Sequence, residues 1–321
     1  MGQNQVLVTG GAGFIGSHLV ELLVSCGVHV RVLDDLSSGS MANLAPVADR
    51  IEFIRGSILD MPLIKEAASG CHTIFHLAAV VSVPMSYADP MTAHEINVLG
   101  TLRALEAAAK NGCKFILSSS AAVYQGTDTA TEARLGPISP YGVHKLTCEM
   151  YTRLYFVQHG IPAACLRYFN VYGPRQDPKS PYSGVISKYI ERTLAGEQHE
   201  IHGDGLQTRD FVYVRDVALA NVCAMHGERL MGQAFDVGSG VQTSILELSR
   251  TVSESAHLVH QPSFMPRRMG DIRDSVADAG PAWTKLGFKA ATPLQKGLEE
   301  TLAWAAGVLP VGPGVRVPYC A

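Results

Sequence analysis

The sequence predicts an α/β fold, a doubly wound parallel sheet carrying a second, smaller lobe. Short apolar runs alternate with segments of helical period through the first half of the chain, the pattern of a parallel sheet covered by helices on both faces. The run Val6-Leu7-Val8-Thr9-Gly10-Gly11-Ala12-Gly13-Phe14-Ile15-Gly16 reads as a buried strand, a glycine-rich turn and the start of a helix. Asp34 closes the next apolar run, 18 residues beyond Gly16.

Strand candidates fall at 5–9, 28–33, 51–55, 73–77, 114–119 and 162–167, with a last one at 234–237. Stretches at 16–26 and 93–111 carry apolar residues at three- and four-residue spacing and are expected to be helices. A further helix is marked by Ser139, a natural N-cap, and Pro140, a natural first-turn residue. Residues 171–209 and 259–275 are richer in glycine, proline and charge. The expected domains are therefore a dinucleotide-binding unit at 1–170, to which 210–245 returns, and a substrate-facing lobe at 171–209 and 246–307. Residues 308–321 hold three prolines and two glycines and are expected to fray.

A net charge of −3 over 321 residues points to neither a nucleic-acid nor a membrane-surface partner. No apolar run reaches the roughly 18 residues of a membrane span, and no charged-then-apolar leader opens the chain, so a cytoplasmic protein is expected. Seven cysteines, at 26, 71, 113, 148, 165, 223 and 320, are scattered without close pairs, and all are expected to be reduced. His199-Glu200-Ile201-His202 has the wrong spacing for the zinc helix whose histidines sit one turn apart, and no metal is expected.

Gly10, Gly13 and Gly16 form a Gly-x-x-Gly-x-x-Gly turn. Such a turn lets backbone approach a pyrophosphate, and the helix that follows offers unpaired N–H groups and the positive end of its dipole. Asp34 stands close to the roughly 20-residue distance expected of the carboxylate that holds the adenosine ribose. Asp34 and Asp35 together would repel a 2′-phosphate, which favours NAD over NADP. Asp35 is expected in the loop beyond the strand.

Tyr141 and Lys145 are four residues apart and so share one helix face. A phenol of ordinary pKa, about 10, is a poor base near neutrality. A neighbouring ammonium and an oxidised nicotinamide, both positive, would bring such a phenol into working range. Ser118-Ser119-Ser120 ends the preceding strand, where a hydroxyl can reach a bound substrate.

These segments, with His76-Leu77-Ala78-Ala79, Ile96-Asn97-Val98-Leu99-Gly100-Thr101, Arg167-Tyr168-Phe169-Asn170-Val171-Tyr172-Gly173-Pro174-Arg175 and Arg209-Asp210-Phe211-Val212-Tyr213-Val214, resemble the sugar-nucleotide epimerase/dehydratase family of extended short-chain dehydrogenases/reductases. The resemblance runs from Val6 to Trp304 and is nearest to UDP-hexose 4-epimerases. It implies a Rossmann sheet, NAD, and a catalytic set of Ser120, Tyr141 and Lys145. It assigns the cofactor to Gly10, Gly13, Phe14, Ile15, Gly16, Asp34, Ser57, Ile58, Leu77, Ala78, Ala79, Asn97, Ser118, Tyr141, Lys145 and Tyr168. It assigns a UDP-sugar to Ser82, Ser120, Tyr141, Asn170, Arg209, Arg268, Asp271 and Ser275. The alternative for Asn170 is a turn cap, and for Arg268 a solvated surface charge.

The chain departs from the family at several points. Ser57-Ile58 replaces an Asp-Ile pair, Gln125 replaces a glycine, and Met85 replaces an arginine suited to a uronic-acid carboxylate. Ala121-Ala122 stand where dehydratases of the family place Asp-Glu, so the acid and base of water elimination are missing. The expected reaction is therefore 4-epimerisation through a transient 4-keto sugar. A dehydratase, a catalytically inactive NAD-binding regulatory protein and a reductase with exchangeable NADPH are the alternatives. Ser275 is small where a large aromatic would leave room only for a hydroxyl at the sugar C2, so UDP-N-acetylhexosamines are expected beside UDP-glucose and UDP-galactose. The resemblance also implies a homodimer through a four-helix bundle of segments 92–111 and 141–159, with Ala104, Leu105, Ala107 and Ala108 permitting close approach.

Overall fold

The computed structural model describes residues 4–125, 135–177, 184–267 and 272–308. The chain begins with strand β1 (Gln5–Thr9), helix α1 (Phe14–Ser25) and strand β2 (His29–Asp34). A 3-10 stretch at Met41–Arg50 leads into β3 (Ile51–Arg55), α2 (Met61–Ala67) and β4 (Thr73–His76). Short helices α3 (Val83–Ala88) and α4 (Pro90–His94) follow; α4 runs through a π-helical segment, Glu95–Leu99, into α5 (Gly100–Asn111). Then come β5 (Lys114–Ser120), α6 (Pro140–His159) and β6 (Ala163–Tyr168).

These strands, joined by β11 (Met231–Val237), form a seven-stranded sheet in the order β11-β6-β5-β4-β1-β2-β3. Every pairing in it is parallel. The order reverses between β1 and β4, which opens the crevice where ligands bind in doubly wound sheets. The seven expected strands are all present, with ends shifted by at most a few residues. The architecture is the Rossmann-like α/β fold that the alternating pattern predicts.

The rest of the chain contributes β7 (Asn170–Tyr172), α7 (Val185–Ala195), β8 (Glu200–His202), β9 (Thr208–Arg209), β10 (Phe211–Tyr213) and α8 (Val214–His226) before β11. After it come β12 (Thr243–Ser244), α9 (Ile245–Ser255), β13 (Ser263–Met265), α10 (Gly280–Leu286) and α11 (Leu294–Ala305). β7 pairs with β10, β9 with β12 and β8 with β13, as three two-stranded sheets. Tyr172, Ile186, Ile190, Ile201, Leu248 and Leu298 form their own buried cluster there. Ala282, Leu286 and Phe288 pack instead into the cluster beneath the main sheet, with Val217 and Phe235.

Two expectations are corrected. Ala104, Leu105, Ala107 and Ala108 are fully buried against the chain's own sheet, beside Ile74 and Phe115, and present no surface to a second subunit. Small residues permit close approach to a sheet as well as to a helix. Cys71, Cys113, Cys148, Cys165 and Cys223 are free and buried, but Cys26, half-buried at the C-cap of α1, is disulfide-bonded. Among the described residues, no helix is long and apolar enough to cross a membrane.

Position 16 ties this packing to the glycine turn. A Cβ there would lie 2.1 Å from the Gly10 carbonyl oxygen and 2.8 Å from the Gly11 Cα, both backbone atoms that cannot yield. Gly16→Ala is therefore expected to destabilise the fold by about 1–3 kcal/mol or more, as overpacking does, and to strip bound dinucleotide. Denaturant unfolding and the absorbance of extracted cofactor measure the two effects, and an unchanged midpoint with full cofactor content would contradict the steric argument.

Candidate active site

The crevice is lined first by the β1–α1 turn. Gly10 adopts φ +71°, and a Cβ on it would meet the Ala78 backbone nitrogen at 2.6 Å, so the turn rests directly on the Leu77–Ala78 main chain. Gly13 is the N-cap of α1 and has no side chain to cap it, so among the described residues the first-turn N–H groups of Phe14, Ile15 and Gly16 have no side-chain partners. Asp34, at the end of β2, accepts from the Ala12 N–H (2.9 Å) and the Leu36 N–H (2.9 Å). Burial pushes its carboxyl above the usual range, and the two N–H groups oppose that shift. A turn with no room for side chains, an uncapped helix N-terminus and a carboxylate at the end of the second strand fit the pyrophosphate and ribose of NAD.

Ser57 and Ile58 close the far side. Ser57 Oγ accepts from the Leu59 N–H (3.1 Å), and Ile58 packs over Gly100 so closely that a Cβ there would meet its Cδ1 at 2.4 Å. Leu77, Ala78 and Ala79 are half-buried at the mouth. Asn97 lies in the π-helical segment, where one residue too many widens the helix. Its amide is fully engaged with the Val80 main chain, accepting from N–H at 2.7 Å and donating to C=O at 3.0 Å, and so it holds the loop after β4.

Beneath this loop His76 joins three elements. Thr101 gives its hydroxyl proton to the Asn97 carbonyl (2.6 Å), so His76 donates from Nε2 to Thr101 Oγ1 (3.1 Å) and accepts at Nδ1 from Thr9 Oγ1 (2.9 Å). Burial, and after it the Lys145 charge, lowers its pKa to about 3, so the ring is neutral and structural.

The expected catalytic pair, Tyr141 and Lys145, sits on α6, whose start is capped by Ser139 Oγ accepting from the Gly142 N–H (3.1 Å). Lys145 Nζ donates to the Ser118 carbonyl (2.8 Å) and lies 5.8 Å from the Tyr141 ring centroid. Ser120 Oγ accepts from the Ala122 N–H (3.1 Å), which leaves the hydroxyl's own hydrogen for a ligand. Ser118, Ser120, Tyr141 and Lys145 thus converge at the C-terminal end of β5.

Ser86, which sequence reasoning missed, is completely buried and accepts from the Tyr141 N–H (3.0 Å) while donating to the Val83 carbonyl (2.7 Å). It ties α3 to the start of the catalytic helix. Ser82 caps α3 by accepting from the Met85 N–H (2.9 Å).

Other expected residues have different positions. Tyr168 is buried and pairs in register with Ser120; its hydroxyl bonds to Asn221 (3.0 Å) and also reaches the Ser118 side chain. Asn170 Nδ2 donates to the Asp210 carbonyl (3.0 Å), locking β7 to β10. Arg209, in β9, donates to the carbonyl of the preceding residue, Thr208 (2.7 Å). Ser275 is half-buried in segment 272–278, which Thr208 holds through the Arg273 carbonyl (2.9 Å) and the Asp274 carboxylate (2.5 Å). Arg268 and Asp271 lie outside the described residues. His199 bonds to Thr193 (2.8 Å) and Ser249 (2.9 Å), filling the core of the smaller sheets. No group of three or more His, Cys, Asp or Glu side chains is placed to hold a metal ion among the described residues.

Comparison with known proteins bears on this geometry. The model of the NAD dependent epimerase/dehydratase family matches residues 6–238. The UDP-glucose 4-epimerase of Mycolicibacterium smegmatis is 40% identical over 307 residues, 93% of this chain and 97% of that protein. The crystal structure of UDP-glucose 4-epimerase with UDP-glucose from Thermotoga maritima superposes with TM-score 0.87 at 38% identity, covering 94% of this chain and 99% of that one. The UDP-N-acetylglucosamine 4-epimerase from Methanobrevibacter ruminantium M1, in complex with UDP-N-acetylmuramic acid, gives TM-score 0.90 at 35% identity over 96% and 100% of the two chains. Sugar-nucleotide decarboxylases and dehydratases are also similar, at 34% and 32% identity. With its glycine turn, Asp34 and the Tyr141–Lys145 pair in place, this chain belongs to the NAD-dependent epimerase/dehydratase family and takes NAD as its cofactor.

Proposed function

We propose that the protein is a UDP-sugar 4-epimerase. The observation that carries this is the end of β5: Ser120, Tyr141 and Lys145 converge there, while the adjoining turn offers only Ala121 and Ala122. Methyl groups cannot move the protons that eliminate water, so oxidation at C4 has no catalysed exit except reduction back to the hexose. The similarity to UDP-glucose and UDP-N-acetylglucosamine 4-epimerases supports the same reading.

In this mechanism Tyr141 takes the O4 proton and later returns it, and Ser120 holds O4 in line with the phenol. Lys145, fixed by the Ser118 carbonyl, places positive charge beside that phenol. When bound, NAD supplies reversible hydride acceptance at C4. Arg209 and Arg268 hold the diphosphate as a pivot, Asn170 supports it and Asp271 takes the ribose hydroxyls. The planar 4-keto sugar turns about that pivot and is reduced on its other face, which inverts C4. Gly10, Gly13, Gly16 and Asp34 hold the cofactor, with Ser57, Ile58 and Leu77 to Ala79 around it, Ser118 and Tyr168 side by side at the strand ends, and Asn97 shaping the loop after β4. The proposed domain division follows the same logic, with 1–170 and 210–245 carrying the cofactor and 171–209 and 246–307 the nucleotide sugar, except that α10 packs into the cluster of the main sheet.

Purified protein given a panel of UDP-sugars, with products identified by NMR, should interconvert C4 epimers without added NAD. Tyr141→Phe should lower turnover by about 10²–10⁴-fold and leave UDP binding intact. Stoichiometric NAD reduction would make the protein a dehydrogenase, and an accumulating 4-keto product would make it a dehydratase.

UDP-N-acetylhexosamines are proposed as substrates beside UDP-glucose and UDP-galactose, because Ser275 is small and Met85 offers no partner for a carboxylate. Ser275→Tyr should suppress turnover of the acetylated sugars by about tenfold or more, as added bulk overlaps the N-acetyl group, and spare the plain hexoses. Equal loss on both substrates would remove position 275 from the pocket.

We also propose a homodimer through α5 and α6. Val143, Met150, Leu154 and Val157 are 42–69% exposed, and Met150, Leu154 and Val157 follow helical spacing along one face of α6. This stripe, rather than the buried alanines of α5, is the apolar face available to a second copy. Met150→Lys combined with Val157→Lys should shift the sedimentation coefficient to that of a monomer, and an unchanged coefficient would place the interface elsewhere.

A further inference from the structure

One register row crosses three adjacent strands near the catalytic residues. Ser119 of β5 pairs with Arg167 of β6, which pairs with Asp236 of β11. Directly paired residues share a face of the sheet. Helix α6 packs across all three strands on that face, and the row is wired into it.

Ser119 Oγ donates to Glu149 Oε1 (2.5 Å), one turn along α6 from Lys145. Arg167 donates to the same carboxylate through Nε (2.9 Å) and Nη2 (2.6 Å). Its remaining nitrogen, Nη1, donates to the Tyr124 hydroxyl (2.7 Å). That hydroxyl donates in turn to Asp236 Oδ1 (2.7 Å), while Asp236 Oδ2 accepts from the Asp278 N–H (3.1 Å). The guanidinium also lies 4.9 Å from the Tyr124 ring centroid. A buried ion pair is tolerated only when its hydrogen bonds are filled, and the Tyr124 hydroxyl fills the last nitrogen of this one.

The far end of the network grips the wall segment. Asp210 accepts from the Ala277 N–H (3.1 Å) and Asp236 from the next amide, Asp278. Asp210 is otherwise bonded to Ser239 and Gly240 beside β11. Asp236 alone of the two is wired to the catalytic helix. Tyr124 closes the turn that begins at Ser120, so one hydroxyl stands between the hydroxyl-bearing strand, the helix of Tyr141 and the segment bearing Ser275.

We propose that Tyr124 is a positioning residue for the sugar pocket: its hydroxyl couples the catalytic helix, through Arg167 and Glu149, to wall segment 272–278, through Asp236. What that coupling governs rests on the epimerase reading. The 4-keto sugar must present both faces to one fixed Tyr141, so the pocket must keep its width while its contents turn over. A wall tied to the helix that carries the phenol keeps that width, and with it the discrimination between C2 substituents.

Tyr124→Phe keeps the ring and its packing and removes only the bridging oxygen. Hydrogen exchange read by mass spectrometry should rise about tenfold in segment 272–278, the size of one lost buried hydrogen bond, with exchange in β1 and β4 and NAD content unchanged. The ratio of kcat/KM for UDP-N-acetylglucosamine over UDP-glucose should shift by about fivefold or more, whereas a merely stabilising role would scale both substrates alike. Asp236→Asn, which cannot accept from both Tyr124 and Asp278, should reproduce the exchange pattern. Unchanged exchange in 272–278, or a rise spread evenly over the chain, overturns the proposal. A wild-type protein that turns over neither substrate would defeat the proposed function instead, and the exchange measurement would still decide the role of Tyr124.

Discussion

The carboxyl edge of the sheet is arranged around a backbone contact that leaves no room for a methyl group. The Gly10 turn lies on the Leu77–Ala78 main chain, and Gly16 lies on the Gly10 carbonyl. This contact brings the ends of β1 and β4 together where the strand order reverses. It aims the N-terminus of α1 into the crevice, and it sets the height of the β4 loop that Asn97 fastens at Val80. His76 then joins that loop to β1 and α5 through Thr9 and Thr101, so the cofactor face of the site is a single rigid surface.

The catalytic face is fastened to that surface by α6. Successive turns of the helix meet successive residues of β5, with Lys145 on the Ser118 carbonyl and Glu149 on the Ser119 hydroxyl. Ser86 fixes the helix start from a third direction. The helical turn from Tyr141 to Lys145 is therefore fastened at both ends, by the Ser86 hydroxyl at the Tyr141 N–H and by the Ser118 carbonyl at Lys145. Holding reacting groups in place before the reaction removes an entropic part of the barrier, which suits the proposed epimerisation, in which the sugar would turn while Tyr141 stays.

Features written in a continuous stretch of chain were legible from sequence. Gly10 to Gly16, the capped start of α6 and the four-residue step from Tyr141 to Lys145 each lie within one local segment, and each took the predicted form. Features assembled by register were not. Ser119, Arg167 and Asp236 are 48 and 69 residues apart in sequence, and only the pairing of β5, β6 and β11 puts them in one row. Ser86 carried no signal because a serine inside a short helix serves many ends. The alanines of α5 misled because small side chains mark a close approach without naming the partner.

Asp34 holds the turn, and on the proposed reading the same group would select the cofactor. Its two oxygens already accept from Ala12 and Leu36, so the carboxylate is part of the turn's own structure, and burial makes its charge harder to keep. Those two N–H groups oppose that cost and leave lone pairs for ribose hydroxyls, which donate. A 2′-phosphate has no proton to offer at neutral pH and would add negative charge beside a carboxylate removed from water, with Asp35 next in sequence. The preference for NAD thus follows from the same hydrogen bonds that shape the loop, and it cannot be relaxed at position 34 without loosening the backbone around Ala12.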